Sequence, residues 1–161
     1  MGAILIEGQY PNVEWSPNRE ARRRNLDEAI EIARRHGVDV PHDVAFFIDE
    51  FGDLGTNTTA RGPRITKPAG AYVVWTDFVQ DRTGKVPFLL RADILESDEA
   101  IVAVLAHEMF ELRHIRDWLA HGTITVEDLI AQVSPGIKGN LHDQAWDKAD
   151  AMVLRMRGQI P

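Results

Sequence analysis

The sequence contains no cysteine, and this absence excludes several classes of chemistry. Disulfide frameworks, cysteine-rich zinc sites and thiol nucleophiles all require that residue. The sequence also has no run of about 18 apolar residues, so it predicts no transmembrane helix. Its first ten residues, MGAILIEGQY, have neither the basic start nor the long apolar segment of a signal peptide. We therefore expect a soluble chain with no membrane partner, either cytoplasmic or delivered as part of a larger protein.

Basic residues are in the minority: 18 Lys and Arg stand against 25 Asp and Glu, which gives a net charge of −7. Because phosphate contacts are made by clustered Lys and Arg, we expect no nucleic-acid partner. The hydrophobic content of 44% and the charged content of 27% are ordinary for a globular protein. A chain of 161 residues is long enough for one domain with a good core. We predict a single domain over residues 1–161.

The predicted elements indicate an α+β fold with a small mixed or antiparallel sheet of three to five strands. Ser16 and Pro17 are typical of a helix start and Gly37 of a helix end, so a helix is predicted from Pro17 to His36. Short apolar or β-branched runs, the last two joined by a glycine-containing turn, predict strands at Ile4 to Ile6, Val44 to Ile48, Ala71 to Phe78 and Val86 to Leu95.

The second half of the chain is predicted to be helical. Ser97 caps a long central helix that runs to His121, and its first half is apolar on every side, which is typical of a helix buried all round. Thr125 caps a short helix through Val133. Asn140 caps a final helix from Leu141 to about Arg157. The central helix therefore forms the middle of the predicted core, and the final helix is expected to close over it.

Four polar residues interrupt the buried part of the central helix. His107, Glu111 and His114 fall at i, i+4 and i+7 and share one face, whereas Glu108 lies about 100° around the helix from His107. Neither glutamate has a Lys or Arg three or four residues away. Carboxylates near an apolar core are costly unless they are paired, protonated or bound to a metal. A divalent cation would satisfy both the glutamates and the histidines.

The segment His107 to Glu111 reads HEMFE. A helix with His-Glu-x-x-His offers two metal ligands one turn apart and, at its second position, a glutamate directed at the metal-bound water. Glutamate at the fifth position is also an acceptable zinc ligand, since carboxylate oxygen binds zinc. The pattern predicts a metal site that includes His107 and Glu111.

Strands followed by a buried helix with HEMFE and by a later polar helix resemble the catalytic core of zincin-type metallopeptidases. The resemblance covers roughly Ala71 to Met156 in the order of elements. It implies that His107 and Glu111 are zinc ligands, that Glu108 is the general base, and that a third ligand lies downstream. The sequence departs from the common pattern in having Glu111 where a second histidine is usual. It also lacks the glycine and the third histidine of the metzincin extension.

The third ligand is left open by the sequence. His142, at the start of the final helix, is our first choice, and the next candidates lie on its polar face at Asp143, Asp147 and Asp150. We interpret Asp143 as solvent-facing. His114 lies about 10 Å along the helix axis from His107. A supporting or substrate-facing role therefore suits His114 better than direct ligation.

The function predicted from these residues is zinc-dependent hydrolysis of a peptide or protein substrate. Small zincin-like modules resemble effector domains of bacterial polymorphic toxins and phage-associated proteins, which implies a cognate immunity protein as a possible partner. Two alternatives from other classes remain. One is an acidic binding module, such as an immunity or inhibitor protein, in which Glu108 and Glu111 face solvent. The other is a phosphoesterase or nuclease that uses Asp147 and Asp150 with Mg²⁺ or Mn²⁺.

Overall fold

A computed structural model describes residues 13, 15, 22–49, 58–59, 62–63, 71–72, 86–122 and 124–161. The predicted first strand, Ile4 to Ile6, lies outside these residues. The described elements, in chain order, are α1 (Leu26–Arg35), β1 (Val44–Asp49), β2 (Thr58–Thr59), β3 (Gly62–Pro63), β4 (Ala71–Tyr72), β5 (Val86–Arg91), a 3₁₀ helix (Ala92–Glu96), α2 (Asp98–Ala120), α3 (Val126–Val133) and α4 (Leu141–Met156). The fold is α+β, as predicted.

The main sheet is mixed, with the strand order β1-β5-β4. β1 and β5 are parallel, in a register that runs from Val44 opposite Val86 to Asp49 opposite Arg91. β4 pairs with the other side of β5 in antiparallel orientation, with Ala71 opposite Leu90. That register agrees with the predicted hairpin, whose turn lies outside the described residues. β2 and β3 form a separate antiparallel pair.

The strand predicted from Val86 to Leu95 is shorter than expected, because β5 ends at Arg91 and a 3₁₀ helix follows. The reason is the burial of two consecutive side chains, Ile94 and Leu95. Neighbouring residues of a strand point to opposite faces of the sheet, so a strand could not direct both of them into one core. The tighter 3₁₀ turn does so.

The first helix also differs from its prediction, since α1 begins at Leu26 and residues 22–25 are not helical. Asn25 and Glu28 form a reciprocal capping box at the N-terminus of the helix, which fixes its start here. The Asn25 side chain accepts from the Glu28 N–H at 2.8 Å. The backbone just before the helix is bonded to the end of the 3₁₀ helix, because the Arg24 N–H donates to the Leu95 carbonyl at 2.8 Å. The predicted end is confirmed, with Gly37 following at φ +93°.

The long central helix is confirmed as α2, and Ser97 caps it by accepting from the Ala100 N–H at 3.1 Å. Every side chain from Ala100 to Met109 is buried. α4, α1 and the 3₁₀ helix pack against this helix, and its largest interface is with α4. Among the described residues, no helix combines the length and the apolar character needed to cross a membrane.

Asn140 fixes the start of α4 against the end of α3. Its side-chain oxygen caps α4 by accepting from the Asp143 N–H at 2.9 Å, as predicted. Its amide nitrogen donates to the carbonyls of Ala131 and Ser134 at 2.8 and 2.7 Å. The first turn of α4, which carries His142, is therefore held in place by one buried side chain.

We predict that Ile115→Ala lowers the free energy of unfolding by about 2–5 kcal/mol, because it leaves a cavity beneath a fully buried side chain. Ile130→Ala is the matched control, since Ile130 is 50% exposed on α3. It should change the free energy by no more than about 0.5 kcal/mol. Urea denaturation followed by circular dichroism measures both, and equal losses would contradict the position of α2 in the core.

The capping box generates a second prediction. Arg22 donates to the Glu28 carboxylate at 3.1 and 2.6 Å, and mainly this bond lowers the pKa of Glu28 to about 2. Because the folded pKa lies below the ordinary value of 4.5, the stabilisation is complete above pH 4.5 and is lost as the pH falls towards about 2. An NMR titration of the Glu28 carboxyl carbon should show the low pKa. Arg22→Ala should return it towards 4.5, whereas Arg35→Ala, at the far end of α1, should leave it low.

Candidate metal centre

Three of the predicted ligands lie together in the structure. α2 supplies His107 and Glu111 from successive turns, and the first turn of α4 supplies His142. One potential ligand atom from each of the three lies within 4.8 Å of the others. His142, the first choice among the four residues proposed for the third position, is therefore the one that lies beside His107 and Glu111.

Both histidines hydrogen-bond the same carboxylate oxygen. His107 Nε2 lies 2.6 Å from Glu111 Oε1, and His142 Nδ1 lies 3.1 Å from that atom. The Glu111 residue is only 3% exposed. Without a metal ion, each imidazole N–H donates to the carboxylate, so the group forms a buried His-Glu-His network.

The charge of Glu111 is stabilised by these partners. Burial acts to raise the pKa of Glu111, but the electrostatic interactions and hydrogen bonds with His107 and then with His142 outweigh it, so the pKa lies well below its usual range. The Glu111 carboxylate is therefore ionised at neutral pH and is ready to act as a ligand without losing a proton.

Trp146 contacts both histidines, and the sequence analysis did not include it in the site. Its ring centroid is 4.0 Å from that of His107, and its indole N–H donates to His142 Nε2 at 3.3 Å. Because that nitrogen accepts, the proton of neutral His142 is on Nδ1, facing Glu111. Trp146 lies at i+4 from His142, so helical spacing was a signal that the two side chains share a face.

Glu108 lies beside the three-residue group rather than within it. Its Oε1 atom is 4.0 Å from His107 Nε2, and its side chain is largely buried. Burial first, and then the negative charge of Glu111, raise the pKa of Glu108 to about 8, although His107 partly opposes the shift. A buried carboxyl next to potential metal ligands, with a pKa near neutrality, has the properties of a general acid or base.

The remaining candidates lie outside the group. His114 Nδ1 hydrogen-bonds the Phe110 carbonyl at 2.9 Å, and its ring lies against the Phe110 ring. Asp147 is exposed on α4. Partial desolvation of its carboxyl, and then the charge of Asp143, raise its pKa. Asp150 is buried and accepts from the Val13 N–H at 3.3 Å. None of these side chains is part of the His-Glu-His group.

The interpretation of Asp143 as solvent-facing is wrong. Asp143 is 6% exposed, and its Oδ2 atom accepts from the Gly139 N–H at 2.7 Å. The turn of Gly139, at φ +79°, brings that N–H back towards the first turn of α4. The carboxylate therefore stabilises the loop before His142 and does not face solvent.

The donor set suits a transition metal better than magnesium or calcium. Two imidazole nitrogens and one carboxylate oxygen are the donors that zinc binds, and three protein ligands leave a fourth position for water. Two ligands of one tetrahedral zinc lie about 3.3 Å apart, as follows from bonds of about 2.0 Å. The His107–Glu111 separation of 2.6 Å is therefore a hydrogen-bond distance, and binding requires a small outward shift as metal replaces the imidazole protons.

One contact would change if the group held a metal. A metal on His142 Nδ1 would leave the proton of that ring on Nε2, towards which the Trp146 N–H points. Two N–H groups cannot face each other, so the Trp146 hydrogen bond would be lost or the ring would turn. His107 Nδ1 is buried and has no hydrogen-bond partner within the described part of the chain.

Comparison with models of known protein families, with characterised proteins and with solved structures finds no match to this chain.

We predict that Glu111→Gln, measured with a chelator present, lowers the free energy of unfolding by about 3 kcal/mol. The amide oxygen carries no negative charge, so both imidazole hydrogen bonds lose their charge-assisted strength, and weakening a buried charged network typically costs this much. Glu96→Gln is the control, because Glu96 is exposed in the 3₁₀ helix. It should change stability by no more than about 0.5 kcal/mol. Equal effects in urea denaturation would show that the network does not stabilise the fold.

Proposed function

We propose that this protein is a zinc-dependent metallopeptidase with a zincin-like catalytic core. The observation that carries the proposal is the position of His142, whose Nδ1 lies 3.1 Å from Glu111 Oε1 although 31 residues separate the two in sequence. HEMFE alone is a weak motif. A distant histidine directed at its last residue completes the three-ligand set that a catalytic zinc site requires.

The order of elements also supports the zincin-like proposal. β4 and β5 are antiparallel strands, β5 leads through one 3₁₀ turn into α2, and α4 packs on α2 and carries His142. The antiparallel strands, the buried helix and the later polar helix were expected from the resemblance. The 3₁₀ turn was not, because a strand was predicted as far as Leu95.

Each residue of the centre has a role in the proposed reaction. His107, Glu111 and His142 would hold zinc, which supplies polarisation of the substrate carbonyl and a water of lowered pKa. The positive charge of that ion would favour the ionised form of Glu108, which would then accept the proton of the attacking water and deliver it to the leaving amine nitrogen. Its Oε1 atom lies 4.0 Å from His107 Nε2, so the base is next to the ligand set. Trp146 packs on the His107 ring and excludes water from that side.

The two alternative functions receive no support from the described residues. An acidic binding module was expected to present Glu108 and Glu111 to solvent, but they are 8% and 3% exposed. A phosphoesterase was expected to use Asp147 with Asp150, yet Asp150 accepts from the backbone of Val13. An effector role with a cognate immunity protein is a further proposal, which rests on the resemblance alone.

The proposal predicts about one zinc ion per chain in protein purified without a chelator or a metal-affinity tag, measured by elemental analysis. His107→Ala and His142→Ala should each weaken zinc binding by at least about 100-fold, because each removes one of three ligands. His121→Ala is the matched control, since this exposed histidine bonds the Asp117 carbonyl at the end of α2 and lies outside the ligand group. Equal zinc content in all four proteins would exclude the proposed ligands.

We further predict that Glu108→Gln lowers the rate of peptide hydrolysis by about 100-fold or more while zinc content is unchanged. Removal of a general base typically has an effect of this size, and glutamine keeps the shape of the side chain. A peptide library analysed by mass spectrometry identifies cleaved bonds, and Glu96→Gln is the control. Retention of full activity in Glu108→Gln would exclude Glu108 as the base.

A further inference from the structure

A cavity lies on the other side of α2 from the candidate metal centre. Its volume is about 380 Å³, and none of the three potential ligands lines it. Ala106, Met109 and Arg113 line it from one face of α2. That face is about 140° around the helix from His107 and Glu111, at 100° per residue. The cavity is therefore separate from the metal centre, although both lie on the same helical turns.

The floor of this cavity is apolar. α2 contributes Met109 and Leu112, α4 contributes Met152, and the segment after α1 contributes Val38. All four are buried, with exposed fractions of 6% or less. The volume falls in the range of about 300–1,000 Å³ that is usual for small-molecule sites, and methionine side chains adapt to ligands of different shape. The floor suits a small aliphatic or aromatic group.

The rim carries charges of both signs. Arg113 and Lys148 provide positive charge, and Asp39 and Asp117 provide negative charge. Arg116 also lines the cavity, but it is bound to Asp43 at 2.6 Å. Within the described part of the chain, the other four side chains make no ion pair or side-chain hydrogen bond. Two available cations and two available carboxylates around an apolar floor are complementary to a molecule with both charges and an apolar body.

We propose that this cavity binds an apolar amino acid or dipeptide with a free ammonium and a free carboxylate. The apolar side chain packs between Met109 and Met152. Arg113 and Lys148 bind the carboxylate, and Asp39 and Asp117 bind the ammonium. A fatty acid would leave the two aspartates unused, and an alkylamine would leave the two cations unused. The proposal is independent of the proposed peptidase activity, because it involves none of the metal-centre residues.

The test is isothermal titration of the full chain, with a chelator present, using leucyl-leucine as the probe. We expect saturable binding of one molecule per chain. Acetyl-leucyl-leucine, which lacks the ammonium, and leucyl-leucinamide, which lacks the carboxylate, should each bind about tenfold more weakly, the usual effect of losing one charged hydrogen bond. Glycyl-glycine, without an apolar body, should also bind more weakly.

Variants assign the charged groups. Arg113→Gln combined with Lys148→Gln should weaken leucyl-leucine binding about tenfold without weakening leucyl-leucinamide further, since that probe has no carboxylate to lose. Lys138→Gln, at an exposed lysine outside the cavity, should have no effect. His107→Ala should also leave binding unchanged.

Three results would overturn the proposal. The first is no saturable binding below about 10 mM. The second is equal affinity for the free and the blocked dipeptides, which would show that the charges are not recognised. The third is loss of binding in His107→Ala, which would place the dipeptide at the metal centre instead.

Discussion

A carboxylate buried at an interface between two helices must be compensated where it lies, and this requirement governs the centre of the protein. Glu111 is compensated by His107 from its own helix and by His142 from α4. The second partner is available only if α4 docks with its first turn beside Glu111. The α2–α4 packing, the cap at Asn140 and the turn at Gly139 all contribute to that position. Helix docking and assembly of the site are thus the same event.

The buried network also explains how one group of residues can be stable without metal and yet be suited to bind it. Each imidazole N–H occupies a direction along which a metal ion would be bound, so a cation replaces two protons rather than entering an open cage. Glu111 is already ionised. Glu108 lies beside these residues, with its Oε1 atom 4.0 Å from His107 Nε2. Trp146 opposes this exchange, because its bond to His142 favours the tautomer of the metal-free state. Metal binding would therefore compete with this hydrogen-bond network.

Much of this arrangement followed from periodicity and capping residues, which act locally. The spacing of His107 and Glu111, and the caps at Ser97, Thr125 and Asn140, depend only on neighbours within four residues. The errors had both local and distant causes. α1 starts late because Asn25 and Glu28 cap it, while the preceding Arg24 N–H bonds to the distant Leu95 carbonyl. Asp143 turns inward because Gly139, four residues earlier, presents its N–H from a backbone with positive φ. The contact of the Trp146 ring with the His107 ring could not be derived either, since it depends on how α4 rotates against α2.

The parallel pairing of β1 with β5 has a consequence for the order of folding. Val44 and Val86 are partners although their positions are 42 apart in the sequence, so the pair forms only after a long loop closes. Contacts of this kind slow folding, whereas hairpins and neighbouring helices form early. We therefore expect α2, α3 and α4 to associate before β1 joins the sheet. During that interval β5 has one unpaired edge, and the apolar segment Val86–Arg91 is the part of the described chain most exposed to pairing with another molecule.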